Sequence, residues 1–337
     1  MKIVSFVPEP GQYAFTFGGA DPVLRVKPGT ALSLWTEDAF CGRLLSTSDH
    51  ASTSLRPDEL NPQTGPFYVD GAEPGDTLAL HLVDLTPARR WGVSSLVPFF
   101  GGLTSTPQTP TLQEPLPERT WVYEYDAVAG TVGFEAQGSD FRVALPANPM
   151  LGTVGVAPAQ REVRTSLVPS AFGGNMDTPE MRAGVTCFLR VNADGALFSV
   201  GDGHYRQGEG EACGTAVEGA MNVTVIVELI KGGGPQWPRI VSDEHLMVVG
   251  SARPLEDAWR AGQADMIGWL GELYGLDQLD AYQLLSQVSL APIANVVDTN
   301  YSAVTKVSRT LLPPAEPYQG MHRALRRAAD VMGTITY

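Results

Sequence analysis

The run Met221-Asn222-Val223-Thr224-Val225-Ile226-Val227-Glu228-Leu229-Ile230 decides the fold. Branched residues favour extended backbone, so this run predicts a long strand that ends at Gly232-Gly233-Gly234-Pro235. Before it, the chain shows the alternating segments and turns of β structure; after it, the apolar spacing becomes helical. The sequence therefore predicts an α+β fold, predominantly β, with sandwich-like or jelly-roll-like sheets and a smaller helix-containing C-terminal part.

Upstream, residues 26–34 and 72–80 resemble each other, because each contains a Pro-Gly turn followed by apolar residues at every second position. Residues 185–191 and 196–200 flank Asn192-Ala193-Asp194-Gly195, which predicts a hairpin. Residues 96–120 are rich in Pro, Gly, Thr and Ser and are predicted to be irregular. Further strands are predicted at 121–125, 131–134 and 141–145.

Downstream, residues 255–274 carry an apolar stripe at helical spacing, with Glu256 and Asp257 in the first turn. Residues 279–288 and 324–332 predict two further helices. These patterns divide the chain into an N-terminal β domain (1–160), a β region that carries the candidate active site (161–250) and a helical or mixed C-terminal part (251–337).

Charge and composition limit the possible partners. The 337 residues include 23 basic and 37 acidic side chains, for a net charge of −14, which disfavours nucleic acid and anionic membrane surfaces. No apolar run reaches the roughly 20 residues of a membrane span, and the three cysteines are too few and too scattered for a disulfide framework. The first residues, MKIVSFVPEPGQ, lack the apolar core of a signal peptide. We therefore expect a cytoplasmic protein that takes a small neutral molecule, or a cation among clustered carboxylates.

The segment 199–211, SVGDGHYRQGEGE, places polar groups in a glycine-rich setting. We expect a strand that runs into a loop holding three carboxylates, one imidazole and one amide. Asp202 and His204 are two residues apart, so their side chains can lie on the same side and approach one cation. Aspartate with histidine suits zinc, manganese or a related divalent ion. Two ligands do not complete a site, and a solvated acidic turn is the alternative interpretation.

Two neighbouring segments offer further ligands. Asn175 and Asp177 repeat the two-residue spacing in Gly173-Gly174-Asn175-Met176-Asp177, although Asp177 could simply open the next turn. Glu218 precedes the long strand, where a buried carboxylate needs a cation or another partner. Other chemistries lack their motifs: there is no GxSxG nucleophile elbow and no GxGxxG dinucleotide fingerprint. The remaining histidines are expected to be exposed or satisfied within the core: His50, His81, His245 and His322.

Five ordered blocks resemble the signature of the acetamidase/formamidase family, over about residues 20 to 310. They are 61–69 (NPQTGPFYV), 71–76 (GAEPGD), 149–158 (PMLGTVGVAP), 173–177 (GGNMD) and 196–218 (ALFSVGDGHYRQGEGEACGTAVE). The resemblance implies a hydrolase that cleaves the carbon–nitrogen bond of a short linear amide, of the formamide or acetamide type, to a carboxylate and ammonia. It also implies a homo-oligomer, a dimer or higher, and a divalent metal, for which zinc is favoured and calcium or manganese are alternatives.

Residues and resemblance together suggest a division of roles. Metal ligands are expected among Asp202, His204, Asp177 and Glu218, where the ion would lower the pKa of bound water. Glu209 or Glu211 would act as the general base and pass the proton to departing ammonia. Asn175 or Gln207 would orient the amide and stabilise the oxyanion.

One position departs from the family pattern. Many members carry a histidine just before the GGNMD block, where this chain has Phe172. If that histidine contacts substrate or metal in relatives, we expect a more apolar amide or lost activity here. Two other functions stay open: hydrolysis of another small amide or urea-like compound on the same scaffold, and a non-enzymatic β-sandwich that binds a small ligand or metal.

Overall fold

The computed structural model describes residues 2–104, 112 and 114–333. Strands account for 38% of the chain and helices for 18%, which confirms a predominantly β, α+β fold. The strands are β1 (Ile3–Phe6), β2 (Thr16–Phe17), β3 (Leu24–Val26), β4 (Thr30–Thr36), β5 (Gln63–Val69), β6 (Thr77–Pro87), β7 (Trp91–Leu96), β8 (Arg119–Asp126), β9 (Thr131–Glu135), β10 (Arg142–Pro146), β11 (Met150–Gly155), β12 (Arg164–Thr165), β13 (Gly173–Asn175), β14 (Thr186–Arg190), β15 (Phe198–Arg206), β16 (Val217–Glu218), β17 (Met221–Ile230), β18 (Arg239–Val241), β19 (His245–Ala252), β20 (Ser289–Leu290), β21 (Ile293–Asn295) and β22 (Tyr301–Ser308). The helices are α1 (Ala51–Ser54), α2 (Leu255–Tyr274), α3 (Gln278–Val288) and α4 (Met321–Gly333).

Within these residues, two large sheets carry the fold. The first has the order β1-β4-β17-β6-β14-β18-β19-β22-β20, with β21 also paired to β22. The second has the order β10-β9-β8-β7-β16-β15-β11-β13, and β5 joins it by pairing with β15 and β3. Strand β17 lies between β4 and β6 and is antiparallel to both. The branched run Met221–Ile230 is therefore an interior strand of the first sheet.

Side chains of β17 enter two separate cores. Val223, Val225 and Val227 belong to the core shared by the two sheets, while Ile226 belongs to the core between the first sheet and the helices. Because both faces of the first sheet are covered, its central strands are apolar almost throughout. The layers are thus helices, first sheet and second sheet, and the two sheets form the predicted sandwich.

Several local predictions are confirmed and two are wrong. Strand β17 and helix α2 occupy the predicted ranges, and α3 and α4 lie within three residues of theirs. The predicted hairpin is wrong, because β14 pairs with β6 and β18 in the first sheet while β15 belongs to the second. The Asn192–Gly195 turn therefore carries the chain from one sheet to the other. The predicted Gly-rich loop is also wrong at its start, since β15 continues to Arg206.

The structure does not test two other predictions in full, the irregular stretch at 96–120 and the division of the chain into three segments. Residues 105–111 and 113 of the predicted irregular stretch lie outside the described residues. The division into 1–160, 161–250 and 251–337 stays a prediction, although the first sheet contains strands from all three segments. No described helix is long and apolar enough to cross a membrane.

Candidate active site

A cavity of about 360 Å³ lies against β15 and β16. Its floor is polar and its walls are apolar, and none of its described lining residues is Lys or Arg. The floor contains one imidazole, five carboxyl groups and two amides: His204, Asp177, Asp202, Glu211, Glu218, Asp298, Asn61 and Asn175. The structure thus brings together the predicted Asp177, Asp202, His204, Glu211, Glu218 and Asn175.

The second sheet sets the positions of these side chains. His204 on β15 lies opposite Glu218 on β16, and Asp202 precedes His204 by two residues on the same strand. A glycine is required at position 152, because a Cβ atom there would lie 2.3 Å from Asp202 Oδ2 and 2.5 Å from Asp177 Oδ1. Gly152 on β11 therefore makes the room in which these two carboxylates approach each other.

The backbone is unusual at three of the carboxylates. Asp177, Asp202 and Glu211 have φ angles of 44°, 60° and 47°, in the left-handed region that residues with a Cβ rarely adopt. Such conformations cost about 1–3 kcal/mol each and persist where surrounding contacts hold them, most often at functional sites. The strain agrees with a constrained site.

Ligand-type atoms converge around the imidazole. His204 Nε2 lies 3.1 Å from Glu218 Oε2 and 3.3 Å from Asp202 Oδ1. Two sets of three groups each place one ligand atom per residue within 4.8 Å of one another: Asp202, His204 and Glu218, and Asp177, His204 and Glu211.

The other imidazole nitrogen is held by Gln207. The Gln207 Nε2 group donates to the carbonyls of Asp177 and Ala294, at 2.5 and 3.0 Å, so its Oε1 atom faces His204 Nδ1 at 2.9 Å. Nδ1 is therefore the donor, and a neutral His204 presents the lone pair of Nε2 to the carboxylates. This arrangement is the one in which a histidine binds a cation through Nε2.

The amide groups are occupied by structural hydrogen bonds. Asn175 Nδ2 donates to Asp177 Oδ2 at 2.9 Å and to Asp298 Oδ2 at 2.8 Å. Asn61 Nδ2 in turn donates to Asn175 Oδ1 at 2.7 Å and to Thr153 Oγ1 at 3.0 Å. An amide has two N–H donors, and both are used in Asn175 and likewise in Gln207. These residues position ligand groups, which leaves the predicted oxyanion role without a free donor in either.

Burial dominates the electrostatics of the carboxyl groups. It raises the pKa of Asp177 well above its usual value, with repulsion from Glu211 adding to the effect. It also raises the pKa of Glu211 well above its usual value, although His204 partly opposes the shift. Burial raises the pKa of Asp298 to about 7 and the pKa of Glu218 in the same direction. These carboxyl groups are therefore held as anions only when positive charge stands near them.

Asp202 and His204 shift in the opposite sense. Burial opposes ionisation of both, but the attraction of His204 lowers the pKa of Asp202, and the attraction of Glu218 and Asp202 raises the pKa of His204 well above its usual value. The carboxylates thus select positive charge at this point, either as a proton on His204 or as a cation beside it.

The residues fit a divalent cation. Asp177 Oδ1 and Glu218 Oε2 are buried and accept no hydrogen bond, and the approach of His204 to Glu218 is close without being aligned for one. Buried carboxylate oxygens without donors are costly unless an ion binds them. Imidazole nitrogen with carboxylate oxygens is a donor set that suits zinc and related metals.

One predicted site residue lies elsewhere. Glu209 is exposed and does not line the cavity, and the charged groups that act on it are Glu180 and Lys306. Phe172 is also outside the cavity lining: it is buried in the core, with its ring centroid 5.4 Å from that of Phe17. The structure therefore gives Phe172 a packing role.

Sequence reasoning missed other residues in the floor or hydrogen-bonded to it. Asp298 hydrogen-bonds Asn175, and Asn295 Nδ2 lies 3.3 Å from both Asp177 Oδ2 and Asp298 Oδ2. Both follow or end β21, in a segment without the glycine-rich pattern that marked the other blocks. Asn61 and Thr153 did lie in blocks that carried the resemblance, so position within such a block was the available signal.

A model of the Acetamidase/Formamidase family matches residues 146–313. The structure is similar to that of an acetamidase from Yersinia enterocolitica, with a TM-score of 0.86 and 38% identity, over 93% of this chain and 94% of that one. The chain belongs to the acetamidase/formamidase family. The resemblance found in the sequence is confirmed, and the expected hydrolase of linear amides agrees with that membership.

Two curated relatives of this acetamidase/formamidase family member have lower sequence identity to it than the Yersinia enterocolitica acetamidase has. An acetamidase of Mycolicibacterium smegmatis is 27% identical over 287 residues, 69% of each chain. A putative formamidase of Schizosaccharomyces pombe is 27% identical over 213 residues, which are 50% of this chain and 52% of that protein. The chain therefore spans about half the length of that second relative.

Proposed function

We propose that this chain hydrolyses the carbon–nitrogen bond of a small linear amide, releasing ammonia and a carboxylate, with a divalent cation held in the acidic floor. As a member of the acetamidase/formamidase family, it is a hydrolase that acts on linear amides. The proposal of a bound cation rests on the charge imbalance in the floor. Five buried carboxyl groups surround a single imidazole, and no Lys or Arg is among the described lining residues.

Asp202, His204 and Glu218 would hold the ion, with Asp177 close by. When bound, a divalent ion supplies Lewis acidity, which polarises a carbonyl and lowers the pKa of water. Gln207 fixes the ring of His204, and Asn175 fixes Asp177, so these amides orient the ligand groups. Glu211 is the proposed base, since it lines the cavity and its pKa favours taking up a proton.

The proton path follows from this assignment. Glu211 accepts a proton from the water that attacks the amide carbon, and returns it to the nitrogen as the carbon–nitrogen bond breaks. Ammonia leaves with that proton, and the acid product then loses the second proton of the water, which gives the carboxylate and ammonium at neutral pH, so one water is consumed for each amide. The apolar walls limit access of other water to the floor.

Further parts of the proposal rest on the sequence and the donor set. Zinc is the proposed ion, because histidine and carboxylates form its common catalytic set. We also propose that the protein is a cytoplasmic homo-oligomer and that the chain divides into segments 1–160, 161–250 and 251–337. Metal analysis of the purified protein and light scattering test the ion and the subunit number.

Ammonia release from a panel of short amides, before and after chelation, tests the activity. We expect turnover by the wild type, loss on chelation, recovery on adding zinc, and loss in His204→Ala. His50→Ala is the matched control, because His50 is exposed at 48% of its side chain. Full activity of the metal-free protein would remove the cation from the proposal. A protein that binds zinc but turns over no amide would be a binding protein instead.

A further inference from the structure

We propose that the preferred substrate is a primary amide whose acyl group is apolar and larger than that of acetamide, with the acyl chain lying against the cavity walls. The inference rests on the proposed function and adds the substrate class. It is carried by the size of the cavity and by its mostly apolar lining outside the cluster of charged and amide groups at the floor.

The cavity is too large for the smallest amides. Formamide and acetamide have roughly four heavy atoms or fewer, which take the room of about four waters at about 30 Å³ each. The cavity measures about 360 Å³, and cavities of about 300 Å³ and above enclose larger organic ligands. Acetamide bound at the floor would leave most of this volume to water.

The walls are of a kind that water fills poorly. They are formed by aliphatic and aromatic side chains above the floor: Phe40, Ala51, Leu55, Leu60, Val97 and Phe100. Removing apolar substrate surface from water against such walls is favourable in proportion to the buried area. Each carbon of the substrate that extends from the floor along the walls should therefore add to the binding free energy.

The floor determines which end of the amide faces it. With Glu218 Oε2 assigned to the ion, Asp177 Oδ1 stays a buried acceptor without a donor at the floor, whereas the N–H groups of Asn175 and Asn61 are already used. A primary amide offers two N–H donors, and an N-substituted amide offers one or none. The unsubstituted nitrogen thus suits the floor, which leaves the acyl group to extend along the walls.

Phe172 does not supply this preference. Its side chain lies in the core against Phe17 and does not line the cavity. The apolar character instead comes from residues 39–60, which include α1, and from residues near the end of β7.

The test compares kcat/KM for formamide, acetamide, butyramide and hexanamide, with N-methylhexanamide as the substituted amide. We expect kcat/KM to rise about fourfold per added methylene, the effect of burying one such group, and N-methylhexanamide to be the poorer substrate. Calorimetry should show that hexanamide binds more tightly than acetamide.

Two variants test the walls. Ala51 is buried and lines the cavity, so Ala51→Leu should lower kcat/KM for hexanamide much more than for acetamide and so remove most of the preference for hexanamide. Leu55→Ser makes a half-buried wall position polar and should act in the same direction. Ala127→Leu, at an exposed turn, is the matched control for the added side chain.

The outcomes separate the inference from the proposed function. If acetamide is hydrolysed but kcat/KM is flat or falls with chain length, the inference is overturned and the amidase activity stands. A better rate with N-methylhexanamide also overturns it. If no amide turns over, the proposed function fails, and calorimetry then decides the cavity preference: equal binding of acetamide and hexanamide rejects it, while tighter hexanamide binding supports it.

Discussion

Two buried clusters of charge in this molecule differ in how the charge is compensated. Below α2, Arg239 Nε donates to Asp265 Oδ1 at 2.6 Å, and the guanidinium lies 4.8 Å from the ring of Trp269. Each charge has its partner, and Trp237 N also donates to Asp265 Oδ2. In the cavity floor, five carboxyl groups face one imidazole. In the first cluster the acid and the base balance each other within the protein. The second has an excess of carboxyl groups, and it is there that we propose a bound cation and the chemistry.

The largest expected effect is on turnover in the acidic floor. Glu211→Gln removes the proposed base, so kcat should fall by about 10²–10⁴-fold. The same change removes a buried carboxyl group whose ionisation is unfavourable, so the melting temperature should stay level or rise. Ammonia release and thermal unfolding measure the two effects.

Glu209→Gln is the matched control, since Glu209 is exposed and two residues away. We expect wild-type kcat from it. Equal losses in the two variants would mean that the segment, and not the Glu211 carboxyl group, controls turnover.

The balanced cluster should respond in the opposite way. Asp265→Ala removes the nearest partner of the buried Arg239 and leaves it only the longer contacts with Glu272 and Tyr318. Breaking a buried pair costs about 3–5 kcal/mol of the free energy of unfolding. Activity per folded molecule should be unchanged, because Asp265 does not line the cavity. Denaturant unfolding, with activity measured at a permissive temperature, checks both. Asp257→Ala, which removes an exposed pair with Arg260 on the same helix, should cost at most about 1 kcal/mol.

An intermediate effect, on metal affinity, is expected from changing Gln207, the neutral side chain that holds His204 in the acidic floor. Gln207→Leu removes the acceptor for His204 Nδ1–H, and loss of such a partner typically lowers metal affinity by about 10–100-fold. Zinc titration by calorimetry measures the change. Gln283→Leu, on the exposed side of α3, should bind zinc as the wild type does. Unchanged affinity in Gln207→Leu would show that the ring needs no such support.

The contrast between the clusters also explains what the sequence could predict. Local pattern was sufficient for β17 and α2, because a long branched run and a long amphipathic stripe each determine one element. Local pattern also predicted that the side chains of Asp202 and His204 approach each other, because the two residues are two positions apart on one strand. Asp298 joins the site only because β21 and the following loop pack beside Asn175, a contact across more than 100 residues. Pairing across sheets likewise overrode the hairpin expected at Asn192–Gly195, since turn residues specify a reversal without specifying which strands then pair.

The resemblance supplied what spacing alone could not. Glycine at position 152 has no side chain that could suggest a role, yet the carboxylates of Asp202 and Asp177 occupy the space that a side chain there would fill. The same block contains Thr153, which contacts Asn61. The roles of individual residues were less predictable, because whether an amide is free to bind substrate depends on all its neighbours. Asn175 and Gln207 illustrate this, since their donors are used within the protein.

The smallest predicted effect concerns a third buried polar cluster, in which two histidines are joined through a threonine hydroxyl. His81 Nδ1 lies 2.9 Å from Thr186 Oγ1, which lies 2.8 Å from His322 Nδ1. Burial lowers the pKa of His81 to about 3, and His322 and Arg326 add to the shift, against Asp243. The folded protein therefore keeps His81 neutral where the unfolded chain takes up a proton.

This difference makes His81 a source of acid sensitivity. Because the folded pKa is below the unfolded value near 6.5, the unfolded state is favoured progressively as pH falls from 6.5 towards 3. Between pH 6.5 and 5.5 the contribution of His81 is a loss of about 1 kcal/mol in the free energy of unfolding. Carboxyl groups with raised pKa values act in the opposite direction, so the quantity to measure is the difference between wild type and His81→Gln in denaturant unfolding at both pH values. The wild type should lose about 1 kcal/mol more than the variant over this interval, whereas parallel losses would mean that His81 is protonated in the fold and that this cluster, like the acidic floor, carries charge.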